Sequence, residues 1–272
     1  FRYFYADTEG RLASNNWMER YWQLNSWGYR DREWTPEDWQ GKTTVAIVGD
    51  SLAAGWGIVD PADRFSDVLA NELGSDYAVF NLGVPGSSTP EQLDTLKALP
   101  VQPNVVILQY FLNDIDYASL SLGQNLNITD IPPLAQESHL VDFVYARANA
   151  GFGQDYWTLH YAAYDNLAVW RVHEGELNAF ADYVDRIGAR LIVVIFPNLQ
   201  DPVTSVAYVD RVAQVFEARG VTDILRLYDV AAAWKREDVI VSPRDAHPSV
   251  ALHHYVGETL YERFFQTTEA PG

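Results

Sequence analysis

The 272-residue chain contains no cysteine. That excludes a disulfide framework, thiolate zinc sites, iron–sulfur clusters and a cysteine nucleophile. Basic residues are scarce as well. Lys plus Arg total 19 against 37 Asp plus Glu, a formal net charge of −18. Such an acid excess repels phosphate backbones and anionic membrane surfaces, so neither nucleic acid nor a membrane surface is an expected partner. No apolar run approaches the roughly 18 residues that a membrane-spanning helix needs. The first residue is Phe1, not Met. A removed leader or anchor, or a trimmed chain, is therefore expected, with an extracytoplasmic location of bacterial type.

What is present is enough for a large core. Hydrophobic residues make up 48 %, which excludes wholesale disorder. Four continuous β-branched and apolar runs read as strands buried on both faces: Thr43–Gly49, Tyr77–Leu82, Asn104–Tyr110 and Arg190–Phe196. Ile224–Tyr228 is a weaker fifth. Helical spacing fills the gaps over Ala62–Leu73, Pro90–Leu99, Glu174–Ile187, Val203–Ala218 and Ser249–Phe265. Strands alternating with helices predict an α/β fold, a three-layer α/β/α sandwich around a central parallel sheet of about five strands.

Two segments break the alternation. Residues 1–42 are rich in Trp, Tyr and Arg without clean periodicity. They are expected to form an N-terminal arm packed on the domain of residues 43–272, with one short helix around Asn15–Gln23. Residues 115–172 are too long for a connection and dense in Tyr, Trp and His. They are expected to form a lid-like insertion.

Ligands of an open parallel sheet bind outside the carboxyl ends of its strands. Ser51 follows the first run, Gly83 the second, Asn113 the third, and Asp245 with His247 the fifth. A serine hydroxyl is a weak nucleophile until a base takes its proton, and His247 can be that base. A carboxylate on the other ring nitrogen would fix the tautomer. The N–H groups of Ser51 and Gly83 and the Asn113 amide could then hold an oxyanion.

These residues give the chain its resemblance to the SGNH, or GDSL-type, hydrolase family of serine esterases and lipases. Gly49-Asp50-Ser51-Leu52 is similar to the first block of that family, Gly83 to the second, Asn113-Asp114 to the third, and Asp245-Ala246-His247-Pro248 to the last. Asn25-Ser26-Trp27-Gly28-Tyr29-Arg30-Asp31 resembles the lead-in of a bacterial branch. The resemblance implies a flavodoxin-like fold and cleavage of carboxylic esters through an acyl-enzyme. The triad would be Ser51, His247 and Asp245, the oxyanion hole Ser51, Gly83 and Asn113, with no cofactor and no metal. There are two departures. Phe111 stands where the third block usually has Gly. Arg244 stands three residues before His247, where the acid usually lies, leaving Asp245 at two residues before or a Ser–His dyad as alternatives.

Trp56, Tyr110 and Phe111 follow motif strands and are candidate pocket walls. Asp50 and Asp114 are expected to bond turns, and Ser87, Ser88 and Thr89 to cap a helix. His139, His160 and His173 are expected on the surface or the lid. Asn127-Ile128-Thr129 fits a glycosylation sequon. The expected substrate is a small-molecule or carbohydrate ester. The rivals are acyl transfer to a carbohydrate hydroxyl with the same residues, and a non-catalytic carbohydrate-binding domain. No motif sets an oligomeric state.

Overall fold

In a computed structural model of the chain, residues 17–126, 133–138, 140–141, 144–145, 152–243 and 245–266 are described. The sequon at 127–129, His139, Arg244 and residues 1–16 of the arm lie outside them.

Five strands form one parallel sheet: β1 (Thr43–Val48), β2 (Tyr77–Asn81), β3 (Val105–Phe111), β4 (Arg190–Phe196) and β5 (Ile224–Arg226). Their spatial order is β2-β1-β3-β4-β5. Val45 pairs with Val79 on one side and with Val105 on the other. The strand interiors are largely apolar because helices cover both faces. One face carries α3 (Thr89–Ala98), α5 (Leu167–Arg186) and α6 (Pro202–Ala218), packed through Leu93, Phe180 and Phe216. The other carries α2 (Phe65–Leu73) and α7 (Val250–Phe264), packed through Phe65, Leu69, Leu252 and Val256. Helices α2 and α7 meet closely at Gly257, where an added Cβ would lie 2.7 Å from the Val68 side chain.

The expected elements recur, with three corrections. The fifth strand stops at Arg226, because Tyr228 opens a short helix, Tyr228–Ala233. The layer helix α5 begins at Leu167 rather than Glu174. Its inward stripe includes Trp170 and His173 beside Val169, Leu177 and Phe180, and those two residues hide the apolar period. The interruption after β3 thus ends before Leu167. Its described part includes α4 (Phe152–Asp165) and the short helices Asp116–Ser121 and Pro133–Glu137. Beyond β5, β6 (Ile240–Ser242) and β7 (Asp245–Pro248) form an antiparallel ribbon that the sequence did not announce.

The described part of the arm lies against β2. Trp34 meets Phe80 edge-on at 4.6 Å, with Trp27 and Trp39 at 5.8 Å from the same ring. Residues 17–21 are helical. Among the described residues, no helix is long and apolar enough to cross a membrane.

Candidate active site

Strand order reverses between β1 and β3, which opens a crevice at their carboxyl ends. Ser51 and Asn113 sit there. Ser51 opens α1 (Ser51–Ala54), a single helical turn. Asp50 caps it, accepting the Leu52 N–H at 2.9 Å. The turn is also pinned from β3: the Gln109 side-chain oxygen accepts the N–H groups of Asp50 and Ala53, both at 3.1 Å. Gly49 admits that oxygen, since a Cβ there would lie 2.3 Å from it. Gly55, at φ 76°, ends the helix in the left-handed conformation.

His247 reaches Ser51 from the ribbon. Its Nε2 lies 2.9 Å from the Ser51 Oγ, and its Nδ1 lies 2.6 Å from Asp245 Oδ1. With the ring protonated on Nδ1, His247 donates to Asp245 and its bare Nε2 accepts the Ser51 hydroxyl. The two-residue spacing is explained by β7. Side chains two apart on a strand share a face, so Asp245 and His247 point the same way. The Asp245 carboxylate is buried and also accepts the His247 N–H at 3.1 Å. Trp56 lies beside the imidazole with ring centroids 5.9 Å apart.

Trp56 is backed in turn by Trp17 and Trp22, at 5.6 and 5.5 Å. The buried Arg30 guanidinium lies 4.9 Å from the centre of the Trp22 ring and donates to the carbonyls of Gly55 and Ile58, both at 2.6 Å. Burial, then the nearby Arg64 charge, lowers the Arg30 pKa to about 10, so it remains a cation at neutral pH. The lead-in motif thus braces the turn that carries Ser51 and Trp56.

Gly83 departs from its expected role. Its N–H donates to the Asn81 side-chain oxygen at 3.0 Å, so it is already used inside the protein. The residue must be glycine for a different reason: a Cβ would lie 2.3 Å from the Ala54 backbone nitrogen. Gly83→Ala is therefore expected to push the Ser51 helix aside, costing about 1–3 kcal/mol of stability together with most of the activity. Thermal unfolding and turnover of the variant check this.

Directly after Gly83, Val84–Ser87 makes a tight turn with Pro85 and Gly86 at its centre. Ser87 N–H bonds the Val84 carbonyl at 3.1 Å and Gly86 has φ 77°, the features of a type II turn. Gly49 holds the turn from the Ser51 side, its carbonyl accepting from Val84 N–H at 3.0 Å and from the Ser87 hydroxyl at 3.1 Å. Among the described residues, the N–H groups of Ser51 and Gly86 take no intramolecular hydrogen bond. The Pro85-Gly86 pair was the signal for Gly86 in the sequence.

Asn113 lies in the turn after β3 (Leu112–Ile115), and its side-chain oxygen is buried without a hydrogen-bond partner among the described residues. Asp50 and Asp114 are both fully buried. Burial raises the Asp50 pKa. Burial and then the Asp50 charge raise that of Asp114 well above the carboxylate range. Asp114 accepts from the Gln92 side-chain amide at 3.0 Å, which ties its turn to α3. Ser88 caps α3 in a capping box with Glu91.

Of the candidate walls, Phe111 meets Trp157 edge-on at 5.5 Å. Tyr110 is not a wall. Strand alternation sends it to the opposite face from Gln109, where it is wholly buried and its hydroxyl bonds His173 Nε2 at 2.7 Å and the Tyr164 hydroxyl. His160 and His173 are likewise fully buried rather than on the surface. His173 has a carboxylate partner, Glu176, at 2.8 Å. His160 lies 2.6 Å from the carboxylate of Asp116.

A family model described as the GDSL-like lipase/acylhydrolase family matches residues 47–255. No curated protein matches the chain by sequence. Three similar solved structures are TesA, the psychrotrophic esterase EstA from Pseudoalteromonas sp., and an acetyl xylan esterase, AlAXEase. TesA is 17 % identical with a TM-score of 0.50, over 80 % of this chain and 96 % of its own. EstA is 16 % identical with a TM-score of 0.50, over 81 % and 96 %. AlAXEase is 13 % identical with a TM-score of 0.51, over 82 % and 100 %. At these identities the likeness is one of fold.

Proposed function

From the premise that the chain belongs to the GDSL-like lipase/acylhydrolase family and is a carboxylic ester hydrolase, we propose that it works through Ser51, His247 and Asp245. The observation that carries the reading is the unbroken hydrogen-bonded line from Asp245 through His247 to the Ser51 hydroxyl.

Ser51 Oγ attacks the ester carbonyl carbon while His247 Nε2 takes its proton. Asp245 keeps the ring in the tautomer that leaves Nε2 bare, and it stabilises the imidazolium that forms. The carbonyl oxygen becomes an oxyanion. Its donors are the Ser51 N–H, the Asn113 amide and, in place of Gly83, the Gly86 N–H. Collapse breaks the bond to the alkoxy oxygen, and His247 returns the proton to the leaving alcohol. Water then attacks the acyl-enzyme by the same route, releasing the acid and restoring Ser51. The substrate class is a small-molecule ester.

Transfer of the acyl group to a carbohydrate hydroxyl would use the same residues. Product analysis separates the two. With p-nitrophenyl acetate and a sugar alcohol present, free acetate is expected in step with nitrophenol. Acetylated sugar as the main product would contradict hydrolysis.

A further inference from the structure

The aromatic rings around Trp56 have no part in the triad or the oxyanion hole. Trp56 follows α1, and its N–H donates to the Ser51 carbonyl at 2.9 Å. That bond fixes its backbone against the turn that carries Ser51. The His247 imidazole is one neighbour of its ring, with centroids 5.9 Å apart and planes tilted by 36°. Trp17 and Trp22 meet it from the arm, at 5.6 and 5.5 Å. The Arg30 guanidinium lies 5.3 Å from the Trp17 ring and 4.9 Å from the Trp22 ring. Trp17 is buried, whereas Trp56 is only half-buried and keeps part of its surface open. Next along the chain, Gly57 packs on the ribbon: a Cβ there would lie 2.7 Å from the Val241 side chain. The Trp56 segment is therefore held from two directions, by the arm and by the strand pair that carries His247.

The path of the proton says which part of an ester meets this ring. In the tetrahedral intermediate, three groups diverge from the carbon bonded to Ser51 Oγ. The oxyanion faces its N–H donors. The alkoxy oxygen must come within about 3 Å of His247 Nε2 to receive the proton as it leaves. The acyl chain takes the remaining direction. The half-open ring beside the imidazole is thus beside the alcohol rather than the acyl chain. A flat aromatic face that is already held rigid can take a ring-bearing alcohol without a further cost of ordering. A short alkyl group would cover little of it.

We propose that Trp56 is a specificity-determining residue for the alcohol half of the ester. It forms the leaving-group subsite and selects alcohols that carry a flat apolar ring face, an aryl ring or the C–H face of a sugar. This rests on the reading of Ser51 and His247 as nucleophile and base. Trp17, Trp22 and Arg30 hold the subsite from behind, so the tryptophans of the arm act on selectivity through this ring.

The test compares kcat/KM for ethyl acetate, benzyl acetate and methyl 6-O-acetyl-glucopyranoside in wild type, Trp56→Ala and Trp56→Phe. All three esters form the same acetyl-enzyme, so differences among them arise in binding and in the step that expels the alcohol. The wild type is expected to prefer at least one ring ester over ethyl acetate. Trp56→Ala should lower that ring-to-ethyl ratio about tenfold, and Trp56→Phe, which keeps a smaller ring, about threefold. The phenylalanine variant carries the test if the alanine variant does not fold. A fall for benzyl acetate alone assigns the subsite to aryl alcohols, and a fall for the glucoside assigns it to sugars. A change that merely loosened the Ser51 turn or His247 would slow all three esters by one factor and leave the ratio as it was. A ratio within about twofold of wild type in the folded variants would overturn the proposal. Ser51→Ala in the same assay keeps the two readings apart. Wild-type turnover by it would overturn the reading of the nucleophile, whereas an inactive Ser51→Ala with an unchanged ratio in the Trp56 variants would sink the subsite alone.

Discussion

Ser51→Ala is expected to lower kcat by about 10⁵–10⁶-fold, and His247→Ala by a similar factor. Both effects follow from the 2.9 Å contact between the Ser51 Oγ and His247 Nε2. Without the hydroxyl there is no acyl-enzyme, and without the imidazole nothing at hand takes its proton. The two groups act as one unit, so the double variant should be no worse than either single one. Residual activity would come from the oxyanion donors and substrate binding alone, about 10³–10⁴-fold over water. Burst measurements with a chromogenic ester check all three proteins.

Asp245→Asn should follow, with a fall in kcat of about 10⁴-fold at nearly unchanged fold. Asparagine is close in shape but can present an N–H to His247 Nδ1. The ring would then be favoured in the tautomer protonated on Nε2, which cannot accept from Ser51. The 2.6 Å approach to Nδ1 and the burial of the carboxylate make this interaction a strong one. Asp238 is the control. It is exposed on the neighbouring short helix, Arg236–Val239, and Asp238→Asn should leave kcat within about twofold. Equal effects of the two changes would remove Asp245 from the triad and favour a Ser–His dyad.

The spacing around His247 shows how far the sequence carries the argument. Asp-Ala-His departs from the usual spacing of the last family block, and reading residues alone leaves the acid open. The missing information is local backbone shape. Once residues 245–248 are a strand, the period of two brings Asp245 and His247 to one side. The core strands were legible because continuous apolar runs have few other uses, and Arg190–Phe196 matches residue for residue. The start of α5 was not, because Trp170 and His173 occupy core positions that a count of aliphatic residues passes over. Gly83 was misjudged for a related reason. A glycine after a strand signals a close approach but does not say to what, and here the neighbour is the Ala54 backbone. Gln109 was visible as one amide inside an apolar run, but its partners, two N–H groups of the Ser51 turn, are set by strand pairing.

The central claim is that Ser51 is the group that becomes acylated. Incubating the wild-type chain with a fluorophosphonate and mapping the adduct by peptide mass spectrometry tests it most directly. A single stoichiometric adduct on Ser51, abolished in Ser51→Ala and strongly slowed in His247→Ala, is the predicted result. An adduct on another residue, or equal labelling of Ser51→Ala, would contradict it.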